Sequence, residues 1–314
     1  MRTAQQFEQH RTSSFTRPVT LTSEAGRRTY RTGDKLTNLA APAKMNLFLH
    51  VTGRREDGMH LLESLFVLIN LEDTLEITLT DDGVIERTGD IVGATSDDLC
   101  VRAATLLQEV SGTHLGAKIH VVKRIPSGAG LGGGSSDCAT TLIALNRLWG
   151  LNYSRQKLMQ LGDRLGADVA FFIYGQNAIA RSTGSELTAL EVPEGWWALL
   201  MPGVPTSTHR IFADPDLTRN TKSLTIPVLS DRIRACWPAL YGHNDLQPVA
   251  ARINPQIQTA LAHLGDSARM TGSGSAVFAA AATPDDAQKL LGSVPEGMRG
   301  WVVATLRRHP LFEF

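Results

Sequence analysis

The stretch Pro126–Asp137, PSGAGLGGGSSD, decides the fold of this chain. It contains five glycines and no charged residue before its last position. Residues 117–121 alternate apolar and polar side chains before it, and apolar residues recur at helical spacing from Cys138 to Trp149 after it. The pattern predicts a strand, a glycine loop and a helix in that order.

A loop of this kind between a strand and a helix is suited to binding phosphate. Its backbone N–H groups can face an anion, and the helix N-terminus adds the positive end of its dipole. Serine hydroxyls at the helix start can cap it, contact a phosphate oxygen or ligate Mg²⁺. The candidate nucleotide-binding residues are Pro126, Ser127, Gly128, Ala129, Gly130, Leu131, Gly132, Gly133, Gly134, Ser135 and Ser136.

Two familiar nucleotide loops fit poorly. Gly128, Gly130 and Gly133 match G-x-G-x-x-G, but a dinucleotide fold also needs an acidic residue about 20 positions later. Residues 138–162 contain neither Asp nor Glu, and no lysine follows the glycines as a P-loop requires. A nicotinamide-dependent oxidoreductase and a plain tight turn remain as the weaker alternatives.

The composition is that of a globular protein. Apolar residues make up 42% and charged residues 20% of 314 positions. Lys plus Arg and Asp plus Glu each number 31, which disfavours a general nucleic-acid or anionic-membrane binder. No apolar run approaches the roughly 18 residues of a membrane span. The expected partners are therefore small molecules. We also expect a monomer or weak homodimer, which the composition does not decide.

The chain has three cysteines, and they are far apart in the sequence. Cys100, Cys138 and Cys236 form no C-x-x-C pair, which favours a reducing compartment. We expect a bacterial cytoplasmic protein, with plastid import of a precursor as an alternative.

Residues 1–38 differ from the rest of the chain. They are rich in Arg, Thr and Ser and lack apolar periodicity, which predicts a disordered N-terminal extension. A transit peptide is the alternative, although Glu8, Glu24 and Asp34 disfavour it.

The rest of the chain is predicted to form a mixed α/β protein. Strands are expected over Met45–Val51, Leu75–Leu79 and Trp196–Met201, and Ser154 is expected to cap a helix that stops at Gly166. We place one domain at residues 39–185 and a second at residues 186–314.

Four stretches resemble the GHMP kinases, a family of small-molecule kinases. They are the glycine loop, APAKMNLFLHVTGRREDGMHLLE (Ala41–Glu63), LGADVAFFI (Leu165–Ile173) and MTGSGSAVF (Met270–Phe278). The resemblance is strongest to the branch acting on 4-diphosphocytidyl-2-C-methyl-D-erythritol in non-mevalonate isoprenoid biosynthesis. It covers about residues 39–314.

The resemblance implies a two-domain α+β fold. The N-terminal domain would resemble the ribosomal protein S5 domain 2-like fold and bind ATP, and the C-terminal domain would be ferredoxin-like. The implied activity is transfer of the γ-phosphoryl group of ATP to the 2-hydroxyl of the cytidine diphosphate substrate. Another GHMP kinase activity, of homoserine or mevalonate type, is the alternative.

Lys44 and Asp168 match the catalytic positions of the family. Lys44 would stabilise transition-state charge, and Asp168 would accept the proton of the attacking hydroxyl. Read without the resemblance, Lys44 is a solvated strand end and Asp168 a helix cap or turn residue.

The resemblance also suggests how substrate and metal bind. Asn46 would contact the substrate near the reacting hydroxyl, His60 would recognise the cytosine edge, and Phe212 would stack on the ring, with Thr208 as a polar contact. Core packing is the alternative role of Phe212. Met59 stands where the branch commonly has tyrosine. Mg²⁺ is expected with ATP, and Ser136 is the candidate metal ligand.

Overall fold

The computed structural model describes residues 20–21, 30–237 and 240–314. Its first layer is a sheet centred on two long antiparallel strands, β2 and β3, which pair over nearly their whole length. Strand β4 runs parallel to β5, and the other pairings in this sheet are antiparallel. The strands are β1 (Thr20–Leu21), β2 (Lys35–Arg54), β3 (His60–Thr80), β4 (Ile85–Gly89), β5 (Gly116–Val122), β6 (Ala178–Ser182) and β7 (Glu186–Ala189).

Four helices cover one face of this sheet. Phe66 and Leu68 of β3 point into the core that these helices share with the sheet, whereas Leu65 and Val67 point into the core on the opposite face. This alternation follows from the two-residue period of a strand. The helices are α1 (Leu99–Ser111), α2 (Gly133–Leu148), α3 (Arg155–Asp163) and α4 (Val169–Tyr174).

The second layer is a four-stranded antiparallel sheet. Its strand order is β11-β8-β10-β9, which is the 4-1-3-2 order of a ferredoxin-like fold. Strand β11 also pairs with β3 through Thr305 and Leu306 and so connects the two sheets. The elements are β8 (Trp196–Met201), α5 (Thr208–Ala213), α6 (Ile226–Cys236), α7 (Gln247–Ile253), α8 (Pro255–Leu264), β9 (Arg269–Met270), β10 (Val277–Ala281), α9 (Pro284–Leu291) and β11 (Arg299–Leu306).

Three predicted boundaries need correction. Strand β2 begins at Lys35 and Leu36 is fully buried, so ordered structure starts before residue 39. Strand β7 pairs with β6, so the boundary placed at residues 185 and 186 falls inside a hairpin. Ser154 does cap α3, but this helix ends at Asp163 rather than at Gly166.

The predicted disorder of residues 1–19 and 22–29 lies outside the described residues. Within the described ranges, no helix combines the length and the apolar character needed to cross a membrane.

Candidate active site

The glycine loop connects β5 to α2 as the sequence predicts. Gly132 precedes α2 with a φ of 72°, and no side chain caps the helix there. The first backbone N–H groups of a helix have no carbonyl partner within it, so an uncapped start leaves them available for an anion. The loop residues line a cavity of about 360 Å³.

Close approach to the rest of the protein explains two of the glycines. Gly130 has a φ of 76°, and a Cβ atom there would lie 2.6 Å from the carbonyl oxygen of Thr271. At Gly132 a Cβ atom would lie 3.0 Å from the Phe172 ring and 3.3 Å from Cγ of Lys44. Both positions therefore require glycine for backbone conformation and for space.

The late glycine motif at residues 270–278 supports the loop from the second layer. The N–H of Ala276 donates to the carbonyl of Ala129 at 3.2 Å. Nδ2 of Asn244 donates to the carbonyls of Met270 (2.8 Å) and Gly272 (2.9 Å), which holds the motif in place. Sequence reasoning gave Asn244 no role.

Lys44 and Asp168 meet beside the loop. Nζ of Lys44 lies 3.3 Å from Oδ2 of Asp168 and 4.9 Å from the centre of the Phe66 ring. The Lys44 N–H donates to the carbonyl of Leu131 at 3.0 Å, so β2 is attached directly to the loop. Lys44 is buried, which rules out the alternative of a solvated strand end.

Asp168 immediately precedes α4 without capping it. Its side chain makes no capping hydrogen bond to that helix and is 28% exposed. A Cβ atom on nearby Gly166 would lie 3.7 Å from Oγ of Ser135, so this segment borders the start of α2. The carboxylate is therefore available for an ion pair with Lys44 and for contact with a substrate.

Asn46 orients the lysine. Its Oδ1 accepts a 2.7 Å hydrogen bond from Nζ of Lys44, and its Nδ2 donates to Oγ of Ser64 at 2.9 Å. Its backbone N–H donates to Oγ1 of Thr271 at 2.8 Å. This orienting contact was not foreseen, and the substrate contact expected of Asn46 stays a prediction.

A buried charged cluster joins the two ends of the glycine loop. Nζ of Lys123 lies 2.5 Å from Oδ2 of Asp73 and 2.6 Å from Oδ2 of Asp137. Oδ1 of Asp73 also accepts the N–H groups of Arg124 and Ile125, directly before the loop. Burial, opposed by Lys123 and reinforced by Asp73, raises the pKa of Asp137 to about 7. Asp137 therefore retains its proton below about pH 7, beside the Asp73–Lys123 ion pair.

Asp98 has a structural role. Its Oδ1 accepts the N–H of Cys100 at 2.8 Å and so caps α1, while its Oδ2 pairs with Arg87 at 3.0 Å. The residue lies on the wall of the cavity that the glycine loop lines.

The residues predicted to bind the substrate base lie together at the start of β3 and on α5. The rings of His60 and Phe212 are 4.8 Å apart between centroids and tilted by 35°. Oγ1 of Thr208 is 2.6 Å from Oγ of Ser273, which connects α5 to the late glycine motif. Met59 is 53% exposed beside His60. Their binding roles stay predictions.

The two serines of the loop differ in environment. Ser136 is fully buried, and its Oγ has no hydrogen-bond partner among the described residues. Ser135 is half-buried and lines the cavity. The described residues contain no group of three or more His, Cys, Asp or Glu side chains that could hold a metal ion by themselves.

Comparison with known proteins matches both halves of the chain. Residues 98–176 match the family model of the GHMP kinases N terminal domain, and residues 232–300 match that of the GHMP kinases C terminal domain. A protein of Nitrosomonas europaea named 4-diphosphocytidyl-2-C-methyl-D-erythritol kinase is 50% identical over 281 residues, which cover 87% of this chain and 98% of the relative.

The chain belongs to the GHMP kinase family. A second relative with the same name, from Thiobacillus denitrificans, is 49% identical to this GHMP kinase. The aligned region covers 87% of this chain and 97% of the relative. The crystal structure of a 4-(cytidine 5'-diphospho)-2C-methyl-D-erythritol kinase superposes with a TM-score of 0.74 at 33% identity, over 85% of this chain and 98% of that one. The predicted α+β GHMP fold is confirmed.

A more distant structure shares the fold alone. Homoserine kinase from Cytophaga hutchinsonii superposes with a TM-score of 0.64 at 18% identity, over 91% of this GHMP kinase and 98% of that chain.

Proposed function

We propose that this GHMP kinase transfers the γ-phosphoryl group of ATP to the 2-hydroxyl of 4-diphosphocytidyl-2-C-methyl-D-erythritol. The products are ADP and the 2-phosphate, an intermediate of the non-mevalonate route to isoprenoids. The observation that carries the proposal is the Lys44–Asp168 pair beside the uncapped start of α2. The shared name of relatives about half identical to the chain supports the substrate.

Each catalytic residue performs one part of the transfer. Asp168 accepts the proton of the 2-hydroxyl as that oxygen bonds to the γ-phosphorus and the bond to the leaving ADP oxygen breaks. Lys44 stabilises charge on the transferred group and orients Asp168. The N–H groups of the glycine loop and of the α2 N-terminus bind the phosphates.

The cytidine end of the substrate is bound by the His60–Phe212 pair. Base stacking on an aromatic ring contributes about 1–3 kcal/mol in proteins that bind single-stranded nucleic acids. The two rings are in contact with each other here, so the base enters by stacking on their outer faces or by separating them.

Mg²⁺ belongs to this proposal as the companion of ATP. Ser136, whose buried Oγ has no hydrogen-bond partner among the described residues, would hold the ion at the phosphate loop. When bound, the ion neutralises charge on the β- and γ-phosphates. Lys44 and Asp168 then act on the transferred group and on the acceptor hydroxyl.

An ADP-release assay with three acceptors tests the activity. The cytidine diphosphate substrate, homoserine and mevalonate are each incubated with ATP, with and without Mg²⁺, beside a reaction without acceptor. We expect Mg²⁺-dependent ADP release with the cytidine substrate and a product carrying phosphate at the 2-position by ³¹P NMR. Release only with homoserine or mevalonate would support the alternative GHMP activity.

The cellular setting of the enzyme is part of the same proposal. The relatives named above come from bacteria, which supports a bacterial cytoplasmic enzyme. A monomer or weak homodimer remains our prediction for its oligomeric state.

A further inference from the structure

Arg219, in the segment after α5, contacts both residues of the proposed base site, His60 through its ring and Phe212 through its backbone carbonyl. Its Nε donates to Nε2 of His60 at 3.1 Å, and its Nη2 donates to the carbonyl of Phe212 at 3.0 Å. Further bonds go to the carbonyls of Asp214 (2.7 Å) and Leu217 (3.0 Å). All three guanidinium nitrogens are therefore engaged, and the side chain has little freedom.

The contact with His60 determines where the imidazole carries its proton. A guanidinium has only donors, so the histidine nitrogen facing it must accept. A neutral imidazole that accepts at Nε2 carries its proton on Nδ1. Burial, together with the charges of Arg219 and Arg54, lowers the pKa of His60 and keeps the ring neutral near pH 7.

The same side chain fixes the two ring-bearing segments relative to each other. His60 begins β3, whereas Phe212 lies on α5 of the second layer. Arg219 reaches the ring of the first and the backbone of the second, and the ring centroids are 4.8 Å apart. Both the geometry and the hydrogen-bonding character of the site thus depend on one residue.

We propose that Arg219 is a positioning residue for cytidine recognition, which holds His60 as an Nδ1–H donor and sets its ring against Phe212. The Nδ1–H donor suits an acceptor on the edge of a cytosine base. The proposal rests on the proposed function, because that function supplies the cytidine ligand. Arg219 acts through His60 and Phe212 and does not itself contact the base.

The first test is ¹⁵N NMR of the histidine-labelled, ligand-free protein. His60 is assigned among the nine histidines by comparison with His60→Gln. We expect a neutral ring protonated on Nδ1 in the wild type and a shift toward the Nε2–H form in Arg219→Met. A wild-type ring protonated on Nε2 would overturn the proposal without any variant.

The second test separates base recognition from catalysis. We expect Arg219→Met to raise KM for the cytidine substrate at least tenfold while KM for ATP and kcat change less than threefold. Arg219→Lys keeps the positive charge but cannot make the four hydrogen bonds of the guanidinium, so it should raise KM for the cytidine substrate by a similar factor. It replaces Arg219→Met in the test if that variant does not fold. Arg210→Met, which alters an exposed arginine of α5, is the matched control and should leave every value unchanged.

These readouts distinguish the two hypotheses. Absence of phosphorylation of the cytidine substrate by the wild type would overturn the proposed function. In that case the NMR measurement and the calorimetric affinity for cytidine 5'-diphosphate would still test whether Arg219 positions His60. Unchanged His60 protonation and unchanged cytidine affinity in both variants would overturn the inference.

Discussion

Nζ of Lys44 lies 3.3 Å from Oδ2 of Asp168, and the two partners differ sharply in exposure: the lysine side chain is 5% exposed and the aspartate side chain 28%. Oδ1 of Asn46 accepts a hydrogen bond from Nζ of Lys44, and the Leu131 carbonyl accepts one from the Lys44 backbone N–H. The aspartate can therefore meet a substrate while its partner remains fixed. This asymmetry suits the proposed roles of Asp168 as a general base and of Lys44 as a cation held in a fixed position.

Replacing Asp168 with asparagine tests its proposed role as general base directly. We expect kcat to fall by about 10²–10⁴, the usual contribution of a positioned acid or base. KM for ATP should change little, because the carboxylate is proposed to act on the acceptor hydroxyl. Single-turnover measurements check the chemical step, and the melting temperature reports separately the cost of leaving the buried Lys44 ammonium without its carboxylate partner. Wild-type phosphoryl transfer by Asp168→Asn would remove this residue from the base role.

Two glycines of the loop form a matched pair for a second prediction. Gly130→Ala places a Cβ atom 2.6 Å from the Thr271 carbonyl at a positive φ, so it should distort the loop and raise KM for ATP at least tenfold. Gly134→Ala lies in the first turn of α2, with its nearest neighbour at 3.7 Å, and should raise stability by up to about 1 kcal/mol. Nucleotide titration and thermal melts measure both. Equal effects of the two changes on KM would contradict the steric account.

The sequence predicted local features of the fold well. Strand β8 spans Trp196–Met201 as expected, because a run of six apolar residues is long enough for a buried strand and too short for a typical helix. The glycine loop and the α2 helix also lie where the pattern places them. The end of α3 was missed, because no residue before Gly166 signals that the helix stops at Asp163.

Long-range contacts were the part that sequence patterns could not supply. Asp73 and Lys123 lie on different segments, and nothing in their local patterns shows that they meet at the loop. The Arg219–His60 bond likewise joins the two layers of the fold. The Lys44–Asp168 pair was anticipated only because the surrounding motifs resemble a known family.

His309 gives a prediction for acid stability. Its backbone N–H donates to the Gly175 carbonyl at 2.9 Å, and its ring Nδ1 accepts the backbone N–H of Leu311 at 3.0 Å. The first bond attaches the C-terminal segment to the end of α4. Burial, assisted by Arg155, lowers the pKa of His309 to about 3.

The sign of this effect follows from the lowered pKa. The unfolded chain binds a proton near pH 6.5 whereas the folded chain does not, so stability is present above pH 6.5 and is lost toward pH 3. The loss is about 1.4 kcal/mol per pH unit at most. Urea unfolding between pH 7 and 4 should show a shallower decline for His309→Gln than for the wild type. The exposed His209→Gln is the control, and parallel curves for all three proteins would refute the prediction.

Asp137 gives a pH dependence of the opposite sign. Its pKa of about 7 in the folded protein lies above the unfolded value of 3.8, so the folded state retains a proton that the unfolded state releases. The unfolding free energy contributed by this group therefore falls as pH rises from about 4 to 7 and levels off above pH 7.

Asp137→Asn abolishes that titration while keeping a side chain of the same size. The variant resembles protonated Asp137 near pH 5 and avoids the second buried carboxylate near pH 8. Its stability relative to the wild type should therefore increase from pH 5 to pH 8. Urea unfolding at each pH unit measures the difference, and Asp97→Asn, on the exposed rim of the same cavity, should show none. A difference that stays constant from pH 5 to pH 8 would mean that Asp137 does not titrate in this range and would contradict its raised pKa.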